Sequence, residues 1–161
     1  MKKIAVVVML TAFIAAPALA AEGSKSIGVN YGLDLDGVFG IQGEFDISSA
    51  TNKAPISVQV FWKNSSRSVL NTTVDARGLG VAGIYDLSAV TKLDKKVRPY
   101  VGLGIISEKT ETTMPNVGTI SASSSSLYVT FGAGYTLTPQ FAADLSYNDF
   151  GGLTVGANYS F

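Results

Sequence analysis

The chain has 161 residues, enough for one ordinary domain, and its 12 Lys and Arg balance 12 Asp and Glu, so charge gives no hint of a nucleic-acid partner. Cys and His are both absent. That excludes disulfides, thiolate zinc sites, a lipidated cysteine, cysteine nucleophiles and the commonest general base. Only 15% of residues are charged against 47% hydrophobic, with 17 glycines, which is too apolar for a typical soluble secreted domain.

Residues 1–20 form a unit of their own. Lys2 and Lys3 precede an apolar run from Ile4 to Ala16, and Ala18-Leu19-Ala20 has the small-x-small form of a cleavage site. The run falls short of the ~20 residues that a spanning helix needs. Cleavage after Ala20 is expected, leaving a mature domain of residues 21–161 with two acids in excess. That domain works outside the cytoplasm, in a Gram-negative envelope. No later segment is long and apolar enough for a membrane helix. Lipid admits only helices and closed barrels, because every backbone N–H and C=O must be satisfied internally; with helices excluded, a barrel remains.

A membrane-spanning strand needs ~9–11 residues with apolar side chains at every second position, and this period occurs eight times. The first segment carries Ile27, Val29, Tyr31, Leu33 and Leu35 on one face and Gly28, Asn30, Gly32 and Asp34 on the other. Asp36-Gly37 is a tight-turn pair. The second sets Phe39, Ile41, Phe45 and Ile47 against Gln42, Glu44 and Asp46, and Ser48 to Pro55 is a polar connection. The third sets Ile56, Val58, Val60 and Trp62 against Ser57, Gln59 and Lys63, and Asn64 to Thr73 reads as a polar loop. The fourth carries Leu79, Val81, Tyr85 and Leu87 opposite Gly78, Gly80, Ala82 and Asp86; Asp75 and Arg77 break its parity and are expected above the bilayer.

Ser88 to Lys96 reads as a charged turn. The fifth segment sets Val97, Pro99, Val101, Leu103 and Ile105 against Arg98, Tyr100, Gly102 and Gly104, and Ser107 to Ser124 reads as a Ser/Thr-rich loop. The sixth sets Leu127, Val129, Phe131, Ala133, Tyr135 and Leu137 against Thr130, Gly132, Gly134 and Thr136. Thr138-Pro139 turns the chain into the seventh, where Phe141, Ala143, Leu145 and Tyr147 oppose Asp144, Ser146 and Asn148. After Gly151-Gly152 the eighth ends on Leu153, Val155, Ala157, Tyr159 and Phe161.

None of these apolar faces contains a charge, as lipid exposure demands, since Lys or Arg at the bilayer midplane costs ~2–4 kcal/mol. The predicted fold is all-β, an eight-stranded antiparallel up-and-down transmembrane barrel. Alternation alone does not say which face points inward; a soluble lipocalin-like barrel with a periplasmic binding role has the same period. Aromatics favour lipid. With the N-terminus periplasmic, Trp62, Phe39 and Tyr147 form an outer rim. Tyr135, Tyr159, Tyr85, Phe45, Phe141 and Phe161 form a periplasmic one.

At the end of the chain, Thr154-x-Gly156-x-x-Tyr159-x-Phe161 resembles the terminal assembly signal of outer-membrane barrels. The run from Val97 to Gly104, with Arg98-Pro99-Tyr100 inside it, is similar to a strand of the small outer-membrane β-barrel family, which includes the OmpA membrane domain, OmpX and opacity-type porin-like proteins. The resemblance covers the mature chain as a pattern and these two strands as motifs. It implies residence in the outer membrane among its lipid and lipopolysaccharide. It also implies escort by periplasmic chaperones and insertion by the barrel assembly machinery. The peptidoglycan-binding domain of the OmpA type is not expected, because the chain stops at Phe161.

Function is less legible than fold. The leading expectation is a non-enzymatic, monomeric structural or surface-interaction barrel without cofactor or metal. Residues 63–73 and 107–124 are its surfaces for a host or surface ligand. A narrow porin-like channel is the alternative; eight strands normally leave no continuous pore, but the inward glycines favour one. The histidine-dependent enzymes of the family are unavailable to a chain without His. Inside the barrel, Glu44, Arg98 and Asp144 share the inward face, and Arg98 is expected to pair with Glu44 or Asp144, because a lone buried charge is costly. This network is either a structural plug or a gate. Gly78-x-Gly80-x-x-Gly83 matches a dinucleotide fingerprint but lies within a strand pattern with no following helix. Asn64-Ser65-Ser66 and Asn71-Thr72-Thr73 read as polar turns rather than glycan acceptors, and Asp34 with Asp36 falls short of calcium's 6–8 oxygens.

Overall fold

Successive residues of a β-strand face opposite ways, so alternation over eight segments builds one sheet with two unlike surfaces. The computed structural model describes residues 24–33, 37–91 and 93–161. The expected leader, Asp34, Leu35 and Asp36 lie outside these residues. The strands are β1 (Lys25–Gly32), β2 (Phe39–Asp46), β3 (Ile56–Val69), β4 (Thr72–Asp86), β5 (Val97–Met114), β6 (Gly118–Thr136), β7 (Phe141–Asn148) and β8 (Gly152–Ser160). A single turn of helix, α1 (Ser88–Thr91), lies between β4 and β5.

Every neighbour is antiparallel, and β1 pairs with β8, closing the sheet into a barrel in chain order. The closing seam runs from Ser26↔Ser160 to Gly32↔Thr154. Closure abolishes sheet edges, which lets strands serve where unpaired backbone cannot.

The side chains decide which face is in. Ile27, Val29, Tyr31, Val101, Leu103, Ile105, Leu127, Phe131, Leu145 and Val155 are exposed on the outside. Asn30, Ser57, Gln59, Lys63, Thr130, Ser146, Asn148 and Thr154 are buried within. This polarity is the reverse of a soluble barrel and suits a lipid surround. It resolves the ambiguity between a lipocalin-like and a membrane-spanning barrel.

Strand length departs from expectation at one end. The segments 64–73 and 107–124, expected as loops, are strand except for the turns at 70–71 and 115–117. β3 and β4 pair out to Val69↔Thr72, β4 and β5 to Thr73↔Thr113, and β5 and β6 to Met114↔Gly118. In contrast, β2 leaves β3 at Asn64 and β7 leaves β6 at Thr130. Four strands therefore rise past the barrel as an open sheet. Both faces of this extension meet water, so it carries no apolar period, and its Ser/Thr composition imitates a loop. The β3–β4 tip is a two-residue turn, with Leu70 and Asn71 both at positive φ (46° and 68°), the backbone that matches the twist of a hairpin.

Candidate functional site: a plugged lumen beneath an open sheet

The lumen has two levels. Above, an apolar cluster fills it: Phe61 of β3, Ala82 and Ile84 of β4, Ile106 of β5 and Tyr128 of β6, with Phe150 packed against them and Tyr100 of β5 joining the cluster to the polar level beneath. Phe61 and Tyr128 lie with ring centroids 4.3 Å apart. Inward glycines make this possible. A Cβ on Gly80 would overlap the Phe61 ring, and one on Gly102 would overlap the end of Ile84. Within the dinucleotide-like spacing, Gly78 and Gly80 are thus space for Ile106 and Phe61 inside a strand. Sequence reading passed over Phe61, although its parity with Gln59 and Lys63 places it inside.

Lys63 caps this cluster. Its side chain is buried, so it is not part of an exposed recognition loop, contrary to its placement in the 63–73 surface. The inward parity of β3 continues through it. Its Nζ donates to Tyr128 Oη at 3.1 Å and to Asn148 Oδ1 at 2.5 Å. It also stands 5.5, 5.0 and 6.0 Å from the ring centroids of Phe61, Tyr128 and Phe150, within the range of cation–π attraction. Asn148 Nδ2 donates to Thr154 Oγ1 at 2.9 Å, and the Thr154 and Ser146 hydroxyls meet at 3.0 Å. A buried ammonium is tolerable only with such partners.

The second level is polar. Asn30 donates to Gln42, and Gln42 to Asn158, a chain along the wall formed by β2, β1 and β8 that passes over Gly28. Beyond them lies a cavity of about 520 Å³ at the end where Ser24 and Ser160 sit, lined by residues including Gln59, Glu44, Asp86, Arg98 and Asp144. Arg98 Nη2 donates to Glu44 Oε1 at 2.5 Å and Nε to Asp86 Oδ2 at 2.8 Å. Ser57 also donates to Glu44. Of the two expected partners, Arg98 therefore meets Glu44. Asp144 instead accepts from Tyr100 Oη at 3.0 Å to each carboxylate oxygen. Asp86, placed on the inward face of the fourth segment but not foreseen as a partner of Arg98, completes the network. The Arg98 side chain keeps 40% of its surface exposed, so water screens these pairs and the plug of the lumen lies elsewhere.

On the outside, Trp62 is half-buried on the β3 face, while Tyr135, Tyr147, Tyr159 and Phe161 are exposed. Tyr147 stacks on Phe131 at 5.5 Å, and Tyr159 lies 5.0 Å from Phe141 and 6.4 Å from Phe161. Thr154 points inward and is buried, and Gly156 packs against Asn30 and the backbone of Val29.

Residues 6–161 match the sequence model of the family described as Outer membrane protein beta-barrel domain. The chain belongs to this family. No curated protein matches it. Among solved structures it is similar to Ail, the attachment invasion locus protein of Yersinia pestis, with 18% identity and a TM-score of 0.60 over 87% of this chain and 99% of Ail. The N-terminal barrel of Pseudomonas aeruginosa OprF gives 14% identity and a TM-score of 0.64 over 87% and 100% of the two chains. Neisserial surface protein A gives 16% and 0.61 over 86% and 96%. At these identities the likeness is one of fold.

Proposed function

We propose that this outer-membrane barrel is a non-enzymatic anchor that presents its extracellular sheet to a surface partner. The observation that carries the reading is the outer edge of β6. Among the described residues, no strand pairs with that edge from Gly118 to Tyr128. Asp149 ends the free stretch by engaging the backbone of Val129. Natural sheet edges are usually blunted by Lys, Pro or bulges. The stretch Gly118–Tyr128 contains neither Lys nor Pro. An exposed edge of this kind takes an extended segment of another molecule by strand addition, with main-chain hydrogen bonds supplying the affinity. The former loop surfaces 63–73 and 107–124 act here as one sheet, with Lys63 removed from it. A structure of Ail with the heparin analogue sucrose octasulfate supports surface-ligand binding as a class for barrels of this shape.

The remaining roles follow the family. The leader is removed after Ala20, and Thr154, Gly156, Tyr159 and Phe161 serve as the signal read by the barrel assembly machinery after chaperone escort. Trp62, Tyr147, Tyr135 and Tyr159 seat the barrel in lipid and lipopolysaccharide as a monomer. The Glu44–Arg98 pair and Asp144 stabilise the lumen rather than gate it. A passive channel is disfavoured, because Phe61, Ile84, Ile106 and Tyr128 fill the lumen above the polar cavity.

The test is adherence of cells displaying the protein, comparing wild type with Ser121→Lys/Ser123→Lys. Two lysines on the edge strand should abolish binding while leaving outer-membrane level and the boiling-dependent gel shift unchanged. Undiminished adherence at equal surface display would refute the edge as the recognition surface.

A further inference from the structure

The outward face of the β4–β5 seam carries two features that the surface-interaction reading does not use. The first is a pair of like charges. Arg77 and Lys109 are direct cross-strand partners, and both are exposed. Like charges set directly opposite destabilise a sheet, so an anion between them is favoured. They lie one side-chain row beyond Leu79 and Ser107, where the apolar belt ends. The next row outward is acidic, Asp75 opposite Glu111. Lys109 forms an ion pair with Glu111, but an exposed pair of this type contributes little and exchanges readily. The order along the seam is therefore apolar, basic, acidic, moving away from the membrane. An anion is attracted on the membrane side of the basic row and repelled beyond it.

The second feature lies on the same two strands. A shallow apolar groove of about 330 Å³ opens on the lipid-facing surface, lined by Val58, Val81, Gly83, Leu103, Ile105 and Leu127. Gly83 creates it. A Cβ there would meet nothing nearer than 3.9 Å, the backbone oxygen of Leu103. Unlike Gly80 and Gly102, this glycine is not required by its neighbours. From Arg77 to Gly83 is about 20 Å along the strand, or about 15 Å of depth at barrel tilt, half of the ~30 Å hydrocarbon core.

We propose that the β4–β5 seam binds one phosphorylated, acylated lipid of the outer leaflet, its phosphate between Arg77 and Lys109 and an acyl chain in the groove at Gly83. Charge complementarity selects the headgroup, and the position of the groove within the belt selects a hydrocarbon chain as its occupant. The site rests on the barrel being embedded in lipid, and is independent of strand addition at β6.

Native mass spectrometry of the full barrel in detergent tests this, with dioleoyl phosphatidic acid and dioleoylglycerol as probes, since they differ only in the phosphate. Wild type should retain the phosphatidic acid about thirtyfold better, the scale expected of two basic residues at a membrane surface. Arg77→Gln/Lys109→Gln should bring the two lipids to parity. Gly83→Leu should lower retention of both while the boiling-dependent gel shift persists. Inorganic phosphate in millimolar excess should not displace the lipid. Equal retention by wild type, an unchanged preference in the double variant, or unchanged retention in Gly83→Leu would each overturn the proposal. Displacement by inorganic phosphate would also overturn it, in favour of a free-anion site.

Discussion

Lys63 and Tyr128 close the lumen together: the Lys63 ammonium donates to the Tyr128 phenol at 3.1 Å and stands 5.0 Å from the centroid of the same ring. One side chain thus supplies both a hydrogen-bond acceptor and a π face to a buried cation. The strands that carry them, β3 and β6, are not adjacent in the sheet, so the contact crosses the barrel interior.

Lys63→Ala should therefore destabilise the barrel by about 2–4 kcal/mol, combining a cavity with partners left without a donor. Lys63→Met keeps the volume and removes the charge, and should stay within about 1 kcal/mol of wild type, because buried charges often exchange for apolar groups at little net loss. Urea unfolding followed by the fluorescence of Trp62, the only tryptophan, reads both. Equal losses for the two variants would mean that the charge itself, rather than the filled volume, holds the plug.

The polar end should behave as a screened network. A double-mutant cycle on Arg98→Gln and Glu44→Gln should show coupling of about 1 kcal/mol, while Arg98→Gln with Asp144→Asn should be additive within about 0.5 kcal/mol. Asp144 contacts Tyr100 instead. Arg98→Ala should leave single-channel currents in planar bilayers as they are in wild type, since the filled level lies nearer the outer mouth. A new conductance in Arg98→Ala would reinstate the gate.

The inward glycines predict a compensating pair. Gly102→Ala brings a methyl group against Ile84 Cδ1 and Thr130 Cγ2. It should cost about 1–3 kcal/mol by overpacking. Ile84→Val removes the overlapping methyl, so the double variant should be more stable than Gly102→Ala alone. Chemical denaturation of the refolded proteins measures this, and simple additivity of the two losses would contradict the packing account.

Tyr159 and Phe161 separate assembly from stability. Both are exposed on the lipid face, and among the described residues their ring contacts are to each other and to Phe141. Phe161→Ala should lower the amount reaching the outer membrane several-fold in cells. In purified, refolded protein it should lose no more than about 1.5 kcal/mol, the upper range of an aromatic pair. A large stability loss with normal outer-membrane levels would argue for a packing role and against an assembly signal.

Much of this molecule was legible in one dimension because a barrel wall has the shortest structural period there is. From Ile27 to Phe161, alternate residues that must satisfy lipid carry no charge, and this marked eight strands; their closure in chain order, with β1 on β8, is seen in the pairing. Residues whose environment is symmetric left no such trace. Ser65 to Ser68, Lys109 to Met114 and Gly118 to Ser124 are strand with water on both faces, so polarity made them resemble loops. Only the pairing of β3 through β6 revealed a sheet with a free edge. The lumen was likewise decided in three dimensions. Parity placed Glu44, Arg98 and Asp144 inside, but which groups meet depends on strand stagger and side-chain reach, and that put Asp86 on Arg98 and Tyr100 on Asp144. Parity also placed Phe61 and Lys63 inside. Their meeting with Tyr128, Asn148 and Phe150 required closure of the barrel, because closure brings strands far apart in sequence within side-chain distance across a narrow interior.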